Sequence, residues 1–258
     1  MNLEAHLRAR RDAGRKLLVP YVTGGLGSQW LDVLRAVIDS GADAVEIGIP
    51  FSDPIMDGRT IQEASQRALD LGATPSGVVD ELATLDAPVP LIVMTYYNIV
   101  ARAGHERFAR HLREARVDAA IVPDLPLDEI GGWAEAARVE QIETVLLAAP
   151  TTTDARLEAI CRCSQGFVYG VSLLGVTGER EKLAANAEQM GRRLKAVTDL
   201  PVLLGVGIST PAQAAQAAQS SDGVIVGSAL VRRLLDGGGA EEARAFVASL
   251  RDALDAAN

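Results

Sequence analysis

Short apolar runs recur along the chain, and stretches with helical spacing fall between them. The runs are Leu17–Val22, Ala44–Ile49, Leu91–Thr95, Ala119–Val122, Thr144–Ala148, Phe167–Ser172, Val202–Val206 and Gly223–Val226. Each has the length of a strand. Between and after them, apolar residues return every three or four positions: Trp30, Leu34, Val37 and Ile38; Phe108, Leu112 and Ala115; and finally Phe246, Val247, Leu250 and Leu254. An opening amphipathic segment, about Leu3 to Ala13, is charged enough to be a surface helix. Strands that alternate with helices favour a parallel sheet, and eight repeats favour closure. The pattern therefore predicts an α/β fold, a single (β/α)8 TIM barrel with an extra N-terminal helix, as one domain over residues 1–258. The Gly237-Gly238-Gly239 turn is too short and too late to separate domains, and is expected to join two terminal helices.

Length and charge narrow the partners. At 258 residues the chain suits one such barrel. Its net charge of −9 disfavours nucleic acid and anionic membranes as general partners. A local phosphate site stays open, because backbone N–H groups bind anions without net positive charge. No apolar run reaches the length of a membrane span, and the N-terminus lacks a signal-peptide core, so the cytoplasm is the expected location. His6, His105 and His111 fall in helical segments and read as surface residues, which disfavours His-based catalysis. No metal-ligand cluster is visible, so no metal is expected.

In a closed barrel the chemistry lies at the C-terminal ends of the strands. The second run stands out there. It continues as Pro50-Phe51-Ser52-Asp53-Pro54-Ile55-Met56-Asp57-Gly58. Alternation puts Val45, Ile47 and Ile49 on one face and Ala44, Glu46 and Gly48 on the other. Glu46 is thus a carboxyl between two very small residues, suited to proton transfer, and Asp53 and Asp57 follow in the loop. The loops after runs six, seven and eight carry glycines: Gly175-Val176-Thr177-Gly178, Gly205-Val206-Gly207-Ile208-Ser209 and Gly227-Ser228-Ala229. Any one of them could merely turn the chain. Together, at the loops this fold commonly uses for phosphate, they suggest an anion held between Gly178, Gly207, Gly227 and Ser228.

These motifs, with Pro20-Tyr21-Val22-Thr23-Gly24-Gly25, Thr60-Ile61-Gln62, Tyr96-Tyr97-Asn98, Pro123-Asp124-Leu125-Pro126 and Ala149-Pro150-Thr151-Thr152, resemble the α subunit of tryptophan synthase from about residue 3 to 255. The acidic loop is the specific part of the likeness. The resemblance implies retro-aldol cleavage of indole-3-glycerol phosphate to indole and glyceraldehyde 3-phosphate, a lyase step of tryptophan biosynthesis. It implies no cofactor in this chain, and a partner β subunit that carries pyridoxal phosphate in an α2β2 heterotetramer. On the matching positions, Glu46 would be the proton shuttle and Asp57 the acceptor for the indole N–H. Tyr169 would orient Glu46 or the substrate. Tyr21 would sit on the indole side, Met94, Ile121 and Phe167 could supply its apolar wall, Gly178, Gly207, Gly227 and Ser228 would hold the phosphate, and Thr23, Thr177 and Gly205 would also bind substrate. The family usually has proline where this chain has Arg59, often Asp-Pro where it has Leu26-Gly27, and often arginine where it has Leu173. Those departures bear on communication with a partner. A stand-alone indole-releasing lyase and a non-catalytic paralogue that activates a β subunit are the alternatives.

Overall fold

Eight strands account for the eight apolar runs. They are β1 Leu17–Thr23, β2 Val45–Gly48, β3 Leu91–Met94, β4 Ala119–Ile121, β5 Glu143–Ala148, β6 Val168–Val171, β7 Val202–Gly205 and β8 Gly223–Val226. In the computed structural model the described residues are 1–171, 180–205 and 207–257, with only the backbone described for 180–186. All strands pair in parallel, in chain order, and β1 closes on β8. The barrel is the one the alternation predicts.

Each strand buries both faces. Leu18, Val22, Val45, Ile47, Val93 and Val224 point outward into the layer shared with the helices. Leu17, Val19, Ala44, Ile92, Ala119, Ile121, Val145, Phe167, Leu203 and Ile225 fill the interior. The interior set also contains Leu3 and Leu7, both fully buried, from the opening helix Leu3–Asp12. That helix is therefore a plug for the barrel floor and not a surface helix. The residues do form the predicted helix, but its two apolar positions close the barrel instead of lying on its outside.

A repeated polar device fastens the floor. Just ahead of β2, β4 and β8, the carboxylates of Asp43, Asp118 and Asp222 accept the N–H groups of Leu18 at 2.9 Å, Leu91 at 3.1 Å and Val202 at 2.8 Å. Ahead of β6, Gln165 Oε1 accepts from Thr144 N–H at 3.1 Å. Each even strand thus holds the odd strand before it, satisfying N–H groups that would otherwise start a strand unpaired. Asp43 is fully buried and is neutralised by Arg15 at 2.7 Å, Arg251 at 3.2 Å and Arg10 at 3.4 Å. With the floor closed and clamped, the opposite end of the barrel is left to hold a ligand.

Candidate active site

Strand register decides which side chains meet at that end. Tyr21 on β1 pairs with Glu46 on β2, which pairs with Ile92 on β3. Gly48 pairs with Met94, and Met94 with Ile121. Across the barrel, Tyr169 on β6 lies between Leu147 and Leu203. Glu46, Tyr21 and Tyr169 therefore come close together, near enough for the Glu46 charge to act on both phenols, although they are far apart in sequence.

Two glycines make room for the two phenols. A Cβ on Gly48 would fall 1.8 Å from the Tyr21 hydroxyl, and one on Gly205 would fall 2.4 Å from the Tyr169 ring. Each tyrosine lies across a neighbouring strand where any side chain would block it. Gly205, expected to bind substrate, has this seat as its observed structural role. Gly227 stands beside Tyr21, where a Cβ would reach Tyr21 Cβ at 3.4 Å.

Glu46 is 1% exposed, and its Oε2 has no hydrogen-bond partner. Burial, and then the nearby Asp57 carboxylate, push its pKa up to about 8. It is a protonated acid at neutral pH with one free oxygen. Asp57 is half-buried in the loop between β2 and the helix Arg59–Asp70. Burial raises its pKa to about 6, opposed by a hydrogen bond from Tyr96. The Tyr96 hydroxyl donates to Asp57 Oδ2 at 2.9 Å and accepts from Met56 N–H at 3.1 Å. The Tyr96 ring stacks on Phe51 at 4.9 Å. On the other side of the loop, Gln62 Nε2 donates to the Asp57 carbonyl at 2.9 Å. The acidic loop is thus held at both ends of Asp57. Two carboxyl groups with pKa values driven apart suit one acid and one base near neutral pH.

Tyr96 is the functional residue that sequence reasoning did not assign, although its motif was noticed. A tyrosine followed by Tyr97 and Asn98 after an apolar run is the available signal. Its role depends on a contact 39 positions away. The neighbouring Tyr97 N–H donates to Asp124 Oδ1 at 2.8 Å, so Asp124 braces the loop after β3. The three histidines are half-buried, not plainly on the surface. His105 meets the Tyr97 hydroxyl at 3.1 Å, and its ring packs against Trp133.

Of the residues expected as apolar wall, Met94 is partly exposed, as is Leu147 beside it in the interior cluster, while Ile121 and Phe167 are fully buried in the layer supporting them. Thr23 is buried at the end of β1 with its hydroxyl unpartnered. A pocket of about 620 Å³ lies between the acidic loop and the loops after β4 and β5, lined by Ile55, Met56, Val122, Leu125 and Leu147 among others but not by Glu46, Asp57, Tyr21 or Tyr169.

The expected anion cradle is resolved into two unequal parts. The helix Pro211–Ala218, after Gly207, caps itself: Thr210 Oγ1 accepts from Gln213 N–H, and Gln213 Oε1 accepts from Ser209 N–H at 2.9 Å. The helix Ser228–Leu235 has Gly227 at its cap and no side-chain cap, which leaves its first N–H groups available to an anion. Gly207 has φ of 75° and open space where a Cβ would be, so its backbone is accessible too. Thr177, Gly178 and Leu173 lie outside the described residues. Among the described residues no group of three or more His, Cys, Asp or Glu is placed to hold a metal ion, and no helix is long and apolar enough to cross a membrane.

Comparison with known proteins gives one answer. The family model for the tryptophan synthase alpha chain matches residues 7–256. The alpha chain of Halorhodospira halophila is 43% identical over 257 residues, covering 96% of this chain and 94% of its own. That of Streptomyces coelicolor is 42% identical, covering 95% and 93%. Among solved structures, tryptophan synthase of Mycobacterium tuberculosis superposes with a TM-score of 0.90 at 38% identity, covering 98% of this chain and 97% of that one. The alpha subunit from Legionella pneumophila gives 0.89 at 31% identity, with 99% of both chains covered.

Proposed function

The chain belongs to the tryptophan synthase alpha chain family, and from that premise we propose that Glu46 and Asp57 carry its reaction, the retro-aldol cleavage of indole-3-glycerol phosphate to indole and glyceraldehyde 3-phosphate. The observation that carries the assignment is the pairing itself. A buried acid with a free oxygen stands within electrostatic reach of a tethered carboxylate that ionises about two pH units earlier.

The steps balance through one proton on Glu46. Protonated Glu46 gives its proton to C3 of the indole ring, and positive charge develops on the ring nitrogen. Ionised Asp57 accepts the indole N–H and stabilises that charge in a largely water-excluded cavity. Glu46, now a carboxylate, takes the proton of the glycerol hydroxyl on the carbon bonded to C3. That carbon becomes the aldehyde as its bond to C3 breaks, and the bonding pair returns to the ring. Indole leaves and Glu46 is protonated again. Tyr21 and Tyr169 flank the reacting carbons, Met94 and Leu147 floor the indole, and the N–H groups at Gly227, Ser228 and Ala229 receive the phosphate, with Gly207 alongside.

Glu46→Gln keeps the shape and removes the acid; kcat should fall about 10²–10⁴-fold. Near-normal indole release by that variant would sink the assignment.

A β subunit is the proposed partner, in the cytoplasm. Ile55 is 77% exposed and Met56 43% exposed on the acidic loop, an apolar rim beside the mouth. Arg59 is exposed at the first position of the next helix, close to that rim. Turnover measured with and without a β subunit, for wild type and Arg59→Pro, tests the partnership. If neither is activated and free turnover is high, the chain is a stand-alone lyase.

A further inference from the structure

The helix proposed to offer its N-terminus to phosphate and the helix that follows the Asp57 loop are bolted together. Arg232, on the helix Ser228–Leu235, reaches Glu63 with both terminal nitrogens, at 2.6 and 3.4 Å, and Thr60 Oγ1 at 3.5 Å. Both targets lie in the first turns of the helix Arg59–Asp70. A second tie runs between the same helices, from Arg67 Nη1 to the Leu235 carbonyl at 3.2 Å. Beneath these polar contacts Val231 packs with Ile61, Ala64 and Tyr21. The same helical turn then grips the acidic loop: Gln62 Nε2 donates to the carbonyls of Asp57 at 2.9 Å and Pro54 at 3.5 Å. The contacts form one unbroken path from the N–H groups at Gly227–Ala229, through Arg232 and Glu63, to the backbone of Asp57.

We propose that Arg232 is a positioning residue, which through Glu63 makes seating of the phosphate and placement of Asp57 a single event. The inference rests on the phosphate placement proposed above. Its chemistry follows from what the reaction needs. The phosphate is remote from the bond that breaks, so its binding energy assists catalysis only if it is spent on arranging reacting groups. Asp57 is the group most in need of arranging, since it sits in a loop whose Asp53, Ile55 and Met56 are exposed. An anion drawn onto the helix N-terminus pulls on a rigid eight-residue rod. Arg232 sits about one turn along it, where that displacement reaches the acidic loop. Arg232 also has Asp236, the residue that caps its own helix, at 3.6 Å, so without Glu63 its charge keeps another partner.

The test separates the phosphate from the rest of the substrate. The intact chain is given dephosphorylated substrate, indole-3-glycerol, with and without inorganic phosphate. In wild type, phosphate should raise kcat/KM and slow hydrogen exchange at the Met56 and Asp57 amides. In Arg232→Met or Glu63→Gln the activation ratio should fall about two- to fivefold, the span expected for a half-exposed ion pair. The double variant should fall no further than either single one, because the two residues act as a unit. Unchanged activation in the single variants, or additive losses in the double, overturns the proposal. So does phosphate that shifts the Gly227 and Ser228 amide resonances without activating wild type. Absence of those shifts rejects the phosphate placement itself and takes the inference with it.

Discussion

Replacing Glu46 by Gln should stabilise the protein while disabling it, and the gain should depend on pH. Glu46 ionises near pH 4.5 when exposed and near 8 in the fold. A carboxyl whose folded pKa is raised keeps its proton in the native state while the unfolded chain releases it. Stability is therefore lost as pH rises from about 4.5 to about 8. The difference of about 3.5 units corresponds to a penalty on the order of 4–5 kcal/mol once both limits are passed, and on the order of 3 kcal/mol at pH 7. Glutamine carries no such proton and removes the dependence. Its own cost, a buried amide beside Gly48, is independent of pH and cancels when two pH values are compared. The assay is urea unfolding of wild type and Glu46→Gln at pH 5 and pH 8. The stability difference should move in favour of the variant by about 3 kcal/mol between them. A difference that stays constant across that range would mean Glu46 is not held protonated, and the proton-donor step would fail with it.

Tyr96→Phe removes the bond that holds Asp57 Oδ2 and lowers its pKa. The acid limb of kcat/KM should move above pH 6 and the plateau should fall about tenfold; an unmoved limb would show that Tyr96 does not set Asp57. Asp43→Ala leaves Arg251 buried without its carboxylate and Leu18 N–H without an acceptor. It should cost about 3–5 kcal/mol in denaturant unfolding, and a loss under 1 kcal/mol would reject the clamp. Arg59 is the first residue of its helix, where proline is well tolerated. Arg59→Pro should therefore raise stability by about 0.4–1 kcal/mol, and destabilisation in the same measurement would contradict the assigned helix start.

The strands were readable because barrel strands are buried on both faces and appear as uninterrupted apolar runs. Where the reading and the structure differ, they differ at the ends. β5 begins at Glu143, a charged residue that an apolar run omits, and β2 stops at Gly48 before Ile49. The opening helix shows what periodicity lacks. Leu3 and Leu7 mark a buried face, but nothing in their spacing says that the face covers a barrel floor. Glu46 and Asp57 were readable because one short segment contains both. The groups that tune them were not, since Tyr96 approaches from the next βα unit and Gly205 is kept small by a ring on the neighbouring strand. The difference between the two helix starts expected to meet the anion was also hidden. It turns on whether Gln213 and Thr210 fold back onto the helix start, which is a matter of conformation and not of composition.

A crystal structure of the Glu46→Gln variant with indole-3-glycerol phosphate bound tests the account most directly. The account predicts the indole ring over Met94 and Leu147, with its N–H on Asp57. It also places C3 against the side chain at position 46 and the phosphate on the N–H groups of Gly227, Ser228 and Ala229. Substrate bound with its ring nitrogen away from Asp57, or with its phosphate elsewhere on the barrel mouth and those N–H groups free, would contradict it.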